Sequence, residues 1–204
     1  MEYRGPAIVC ASRPHGETAV IARLLTAEQG LIGAYVAGGR GRQLRPVLLP
    51  GNLVEAEVRS RSDSQLPFAR LELRDSRGPW LGEPLPAAAI AWVTALTTAT
   101  LPERQPYPAL FDALGALLSA VTMAPSARGW AVALLSYEVL LLRELGYGVT
   151  AQRPQEGDWP AILAAFDRIG RDLSLYLLAD RRADVMASRA MLRDRLSRIF
   201  GEQA

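Results

Sequence analysis

Apolar and polar positions change places at short intervals over residues 1–80. Leu53-Val54-Glu55-Ala56-Glu57-Val58-Arg59 and Phe68-Ala69-Arg70-Leu71-Glu72-Leu73-Arg74 alternate with period two, as half-buried strands do. Three further apolar runs, Ala7–Ala11, Thr18–Thr26 and Leu31–Ala37, are short enough to be strands. Turn-forming residues separate the runs: Arg13-Pro14-His15-Gly16, Gln29-Gly30, Gly38-Gly39-Arg40-Gly41, Pro50-Gly51-Asn52 and Ser62 to Pro67. Five short strands in about eighty residues predict a small closed barrel of the OB type, and an SH3-like barrel fits the pattern almost as well.

Beyond the Pro-bearing stretch Gly78 to Pro86 the period becomes helical. Pro84 to Pro102 is the longest charge-free stretch, but it is rich in Ala and Thr and is interrupted by Pro86, so it reads as a buried helix rather than a membrane span. Leu110, Leu114, Leu117, Leu118 and Val121 repeat at three- and four-residue steps. Trp130, Leu134, Leu135, Leu141, Leu142 and Leu145 form a wider apolar face, closed by Gly146 at a C′ position. Ile162, Phe166, Ile169, Leu173, Tyr176 and Leu177 form another, with Asp158 as N-cap before Pro160. Leu192, Leu196 and Ile199 mark a short last helix. The expected architecture is α+β: a five-stranded OB-fold barrel over 1–80, then an all-helical domain over 81–204, with the linker near 76–86.

Composition changes this picture in two respects. All 23 basic residues are Arg, against 21 acids, for a net charge of +2. Arg-rich codon usage accounts for much of that choice, yet each guanidinium is also a planar fork matched to phosphate. The positive excess sits on the barrel segment, where residues 1–80 hold eleven Arg and eight acids. Cys10 is the only cysteine, which excludes an intramolecular disulfide and a cysteine-cluster metal site. Glu2 and Arg4 precede only a short apolar run, which does not read as a signal peptide, so a cytoplasmic protein is expected.

Catalysis is restricted by what the chain lacks. A phosphate-binding Walker loop needs a Lys, and a Ser-His-Asp or Cys-His site would have to use His15, the only histidine, in a turn-like setting. The acids show no metal-ligand spacing outside the helices. A non-enzymatic protein without cofactor or metal is expected. The most suggestive local feature is Gly38-Gly39-Arg40-Gly41-Arg42-Gln43-Leu44-Arg45. Its glycines let backbone N–H groups approach an anion, and Arg40, Arg42 and Arg45 add charge, although the same glycines suit a solvated hairpin loop. Arg13, Arg59, Arg61, Arg70 and Arg74 complete the candidate DNA-binding set. Tyr35, Phe68 and Trp80 are the aromatics available for stacking, or else for the core. Among the C-terminal arginines, Arg181, Arg182, Arg189 and Arg193 alternate with Asp180, Asp184 and Asp194, as on a solvated helix face.

Four stretches together resemble the RecO family of DNA repair proteins. Ala7-Ile8-Val9, Gly16-Glu17-Thr18 and Leu25-Thr26-Ala27-Glu28-Gln29-Gly30 resemble its first hairpin, and Gly38 to Arg45 with Leu48-Leu49-Pro50-Gly51-Asn52-Leu53 its basic loop. Leu101 to Pro108, followed by Leu110-Phe111 and Leu114, resembles the approach to its central helix pair. Tyr137-Glu138, Leu141-Leu142 and Glu144 to Gly148 resemble the helix end before its metal-binding segment. The resemblance implies binding of single- and double-stranded DNA, annealing of complementary strands and assistance in recombinase loading. It implies two protein partners, the mediator RecR and the C-terminal tail of single-strand-binding protein, and a nucleoid-associated place in the cytoplasm. One departure matters: many relatives carry a zinc-binding cysteine cluster here, whereas Val149 to Trp159 holds neither Cys nor His. The other reading is a protein-interaction module that has lost most DNA affinity, distinguished by the absence of steeply salt-dependent DNA binding.

Overall fold

The computed structural model describes residues 2–60, 62, 65–124, 126–148, 153–179 and 185–201, without the side chains of the last three. Five strands, β1 (Glu2–His15), β2 (Ala19–Thr26), β3 (Gly30–Val36), β4 (Leu53–Arg59) and β5 (Phe68–Asp75), close into a barrel in the order β1-β2-β3-β5-β4. The OB-type barrel expected from the alternation is therefore present. Closure depends on β1, which is much longer than its central apolar run. Its first half pairs with β4 from Glu2↔Arg59 to Ile8↔Leu53. Its second half pairs with β2, from Ile8↔Leu25 to His15↔Ala19, with a bulge between Val9 and Ala11. The bulge bends one strand around two neighbours. The ring is completed by a short parallel contact of β3 with β5 at Tyr35↔Phe68.

The inward positions are mostly small or β-branched. Ala7, Val9, Ala22, Ala34, Val54 and Ala56 are among those excluded from water, packed with the larger Tyr3, Leu24 and Ile32 to fill a small barrel. Leu48, with Leu44 and Val47 against it, closes one end from the loop between β3 and β4. His15 is the last residue of β1 rather than part of the turn, which occupies residues 16–18.

Two compact units form: residues 1–82 with 101–115, and residues 83–100 with 116–204. The segment after residue 100 thus belongs with the barrel. Leu31 and Glu103 form a parallel bridge, the Arg104 N–H donates to the Leu31 carbonyl at 2.9 Å, and Arg23 pairs with Glu103. Gly30 (φ 68°) permits this approach, because a Cβ there would lie 2.0 Å from the Gln105 carbonyl oxygen.

The helices are α1 (Pro84–Thr100), α2 (Pro108–Met123), α3 (Ala131–Glu144), α4 (Trp159–Tyr176) and α5 (Val185–Gly201). Pro86 lies in the first turn of α1, where a missing N–H costs no intrahelical bond, so it does not break the helix. Gly146 (φ 91°) ends α3 with the expected cap: its N–H donates to Arg143 O and that of Tyr147 to Leu142 O. Asp158 caps α4 by accepting from Ala161 N at 3.1 Å. The last helix is long, not short, at 17 residues. Among the described residues no helix is long and apolar enough to cross a membrane.

The second unit is organised around an ion pair. Glu138, fully buried on α3, accepts from Arg189 Nε at 2.9 Å, Arg189 Nη2 at 2.8 Å and Trp92 Nε1 at 2.7 Å. The Arg189 guanidinium also donates to Phe166 O and lies 3.7 Å from the centroid of the Phe166 ring. Arg189 therefore leaves the set expected on a solvated face: its charge is matched inside the unit. Arg193 pairs with Asp167 at 2.9 Å at the surface, while Arg181 and Arg182 lie outside the described residues.

Candidate nucleic-acid interface

The loop from Ala37 to Asn52 is a run of turns pressed onto one end of the barrel. Gly39 is buried there, and a Cβ on it would stand 2.8 Å from Val20 Cβ, so this glycine serves close packing. Four backbone N–H groups of the glycine-arginine stretch are committed to main-chain carbonyls. Gly39 donates to Val36 O, Arg40 to Thr18 O, Gly41 to Gly38 O and Arg45 to Gly41 O. The idea that glycines free backbone N–H groups for an anion fails at these four positions. Guanidinium groups are what the loop presents.

The structure brings three of the candidate arginines together. Arg13 from β1 and Arg40 and Arg45 from the loop line a cleft of about 440 Å³, with Gly39, Leu48 and Pro50 among its walls. All three are exposed, and opposite charge is scarce: none of the residues lining the cleft is acidic. Arg40 is tied in place, its Nη1 donating to Glu17 O at 2.9 Å and Gly16 O at 3.3 Å across the β1–β2 turn. Arg42 is exposed on the same loop but does not line the cleft.

The arginines of the later strands differ electrostatically. Arg59 meets Glu57 at 2.6 Å and Glu2 at 3.4 Å, and Arg74 meets Glu55 at 2.5 Å. Arg70 sits in register with Glu57. These carboxylates offset the positive charge on β4 and β5, whereas no acidic residue lines the cleft. Arg61 lies outside the described residues.

Sequence reading missed the residue that holds the loop. Asn52, taken as a turn former, is fully buried. Its Nδ2 donates to Pro46 O at 2.8 Å and Val47 O at 3.0 Å, and its Oδ1 accepts from Arg77 N at 2.7 Å. A buried amide that satisfies three main-chain groups fixes the path of the chain that carries Arg40 and Arg45. Nothing in the local sequence distinguishes it from an ordinary turn Asn.

Cys10 and His15, the two side chains a nucleophilic site would draw on, are poorly placed for one. Burial pushes the Cys10 thiol up to about 12, far above the range of a nucleophilic cysteine. His15 makes an edge contact with Tyr35, ring centroids 5.9 Å apart. Among the described residues no three His, Cys, Asp or Glu side chains gather as a metal site would require.

Comparison with known proteins adds two family matches. Residues 1–77 match the model described as Recombination protein O N terminal, and residues 84–154 match Recombination protein O C terminal. The chain is 44% identical over 150 residues to a DNA repair protein RecO of Rhodospirillum centenum, covering 73% of this chain and 58% of that one. It is 42% identical over 149 residues to the protein of that name from Paracoccus denitrificans, covering 73% and 60%. A Caulobacter vibrioides protein of the same name is 33% identical over 176 residues, covering 85% and 71%. The matched part thus spans about 60% of the length of the first two of these relatives.

Proposed function

Because the chain belongs to the RecO family of DNA repair proteins, we propose that it binds single- and double-stranded DNA and anneals complementary strands without catalysis. The observation that carries this reading is the cleft in which Arg13, Arg40 and Arg45 converge without an acidic neighbour in its walls. Guanidinium groups on a fixed loop neutralise phosphate charge on two strands at once. Repulsion between the strands falls, and base pairing supplies the driving force. Phosphate contacts carry no sequence information, which suits a factor that acts wherever DNA is damaged. No nucleotide-phosphate cradle exists in the sequence, so annealing needs no ATP.

The cleft also orders the test. Arg40 helps hold the loop, so Arg13, Arg42 and Arg45 are the cleaner targets. Exposed positions of this kind change stability by about 0.5 kcal/mol either way when substituted. The triple Ala variant keeps its melting temperature within a few degrees. If each Arg meets one phosphate, its log–log salt slope becomes shallower by about two units on single strands and nearly three on duplex. Unchanged affinity and slope in a folded triple variant, together with wild-type annealing, would instead favour the protein-interaction reading.

The expected partners are RecR and the acidic tail of single-strand-binding protein, in the bacterial cytoplasm and at the nucleoid. The second unit offers a seat for an acidic peptide. A cleft of about 310 Å³ is walled by Leu135, Val139, Leu140 and Ile169, with Arg143 and Arg153 among its lining. Apolar walls with cationic residues suit a short anionic segment that carries apolar side chains. Loss of tail-peptide binding in Arg143→Glu, with DNA affinity retained, is the expected result. Retained peptide binding would exclude this cleft.

A further inference from the structure

One row of residues follows the outward phase of the barrel strands, exposed at Arg13, Phe68 and Arg59 and buried at Ile21. Strand register places Arg13 beside Ile21, Ile21 beside Tyr35, Tyr35 beside Phe68, and Phe68 beside Arg59. The row thus runs from β1 through β2, β3 and β5 to β4, roughly 19 Å along the sheet at about 4.8 Å per strand step. Its centre is aromatic. Tyr35 is half-buried, held edge-on between His15 at 5.9 Å and Phe68 at 5.1 Å, and Phe68 is 64% exposed. Leu66, 42% exposed, comes within 3.7 Å of where a Cβ on Gly33 would lie, and so extends the apolar surface beside β3. The fold does not require an aromatic here: its neighbours Ala69 and Leu71 face the core, and Phe68 shares the outer phase with Arg70 and Glu72.

We propose that Tyr35 and Phe68 form a stacking platform for unpaired bases of single-stranded DNA, with His15 buttressing Tyr35. The platform rests on the DNA-binding reading of the cleft and extends it, since Arg13 belongs to both. Aromatic faces attract bases whatever their identity, because every base has a π surface. Arginines at both ends of the row supply the complementary charge for the phosphates that flank a stacked base. The Arg59 pairs with Glu2 and Glu57 involve exposed side chains and yield readily to a phosphate. A duplex, whose bases are already stacked on one another, gains nothing from the platform. The surface therefore gives a preference for unpaired strands and releases them once pairing is complete, as annealing requires.

The test compares three ligands by fluorescence anisotropy: an oligothymidylate, an abasic oligomer of equal length and a duplex. The abasic strand carries the same phosphates and no bases. The wild-type chain should prefer the oligothymidylate to the abasic strand by about 5-fold or more, the effect of one stacked base. Phe68→Ala should bring that ratio close to one, with duplex affinity and salt slope unchanged. Phe68→Trp should retain the preference and show fluorescence quenching on binding. Because Phe68 is exposed, loss of its ring spares the core, and circular dichroism verifies the fold. Arg13→Ala with Arg45→Ala should weaken all three ligands and flatten the salt slope, leaving the ratio intact. A Phe68→Ala variant with the wild-type ratio would overturn the platform while the cleft stands. So would an equal loss on thymidylate and abasic strands, or a change in sedimentation alone, which would make the patch a contact between copies of the chain. No salt-dependent binding of the wild-type chain to any ligand would remove the DNA reading itself, and the platform with it.

Discussion

Arg189→Met tests whether the second unit depends on its buried charge pair. The substitution keeps length and apolar stem but removes the guanidinium from beside Glu138. The carboxylate, fully buried, then retains one of its three donors, Trp92 Nε1 at 2.7 Å. Phe166 O also loses a donor at 2.7 Å, and its ring loses a cation 3.7 Å from the centroid. Breaking a buried pair by removing one partner typically costs about 3–5 kcal/mol, because the remaining charge is left without compensation. Glu138→Gln leaves Trp92 its acceptor but strands the cation, and a loss of about 3 kcal/mol is expected. Combining the two removes both charges and keeps the Trp92 bond. The double variant should therefore be no less stable than Arg189→Met alone, which with these single losses means a coupling energy of about 3 kcal/mol. Urea unfolding followed by tryptophan fluorescence reads the effect, since Trp92, Trp130 and Trp159 all lie in this unit. With a slope of about 2 kcal/mol per molar, Arg189→Met moves the midpoint down by about 1.5–2.5 M. A shift below about 0.5 M, or a double variant whose loss equals the sum of the singles, would refute the reasoning.

Asn52→Ala orphans three main-chain groups and should cost about 2–4 kcal/mol in thermal melting, with weaker single-strand binding because the loop carrying Arg40 and Arg45 loosens. Stability should also fall at alkaline pH. Burial holds the folded Cys10 thiol near 12, whereas an unfolded thiol ionises near about 8.5, so above that pH the native state binds the extra proton. The loss is at most about 1.4 kcal/mol per pH unit and flattens in Cys10→Ala; an identical profile in that variant would assign it elsewhere, Tyr3 being the next group held near 12. Elemental analysis of protein purified without chelators should give far less than one zinc per chain, and a dialysis-resistant equivalent would reveal ligands beyond Cys10 and His15.

How far the sequence revealed these features depends on whether they are made by side-chain phase or by main-chain contact. The five strands were legible because alternation fixes which residues face inward, and β4 begins and ends where its pattern does. The first residues of β1 were not, since Gly5 and Pro6 look like a break although Tyr3, Gly5 and Ala7 keep the inward phase. The return of residues 101–115 to the barrel was also hidden. It is made largely by a backbone bond from Arg104 to Leu31 and by the space that Gly30 leaves, and neither leaves a periodic trace. The cleft needed three dimensions, because Arg13 and Arg45 meet only after a strand bends and a loop folds back. Two other features carried a signal in their phase. Phe68 stands in step with Arg70, Glu72 and Arg74, so the alternation itself puts an aromatic on the wet face of β5. Glu138 falls four residues after Leu134 and four before Leu142, in the middle of an apolar helix face. A carboxylate there demands a buried cation, and only long-range packing could say which of the arginines supplies it. For both residues the type looked ordinary and the position did not: an apolar ring stands on the wet face, and a charge stands in phase with the core, where it needs a partner.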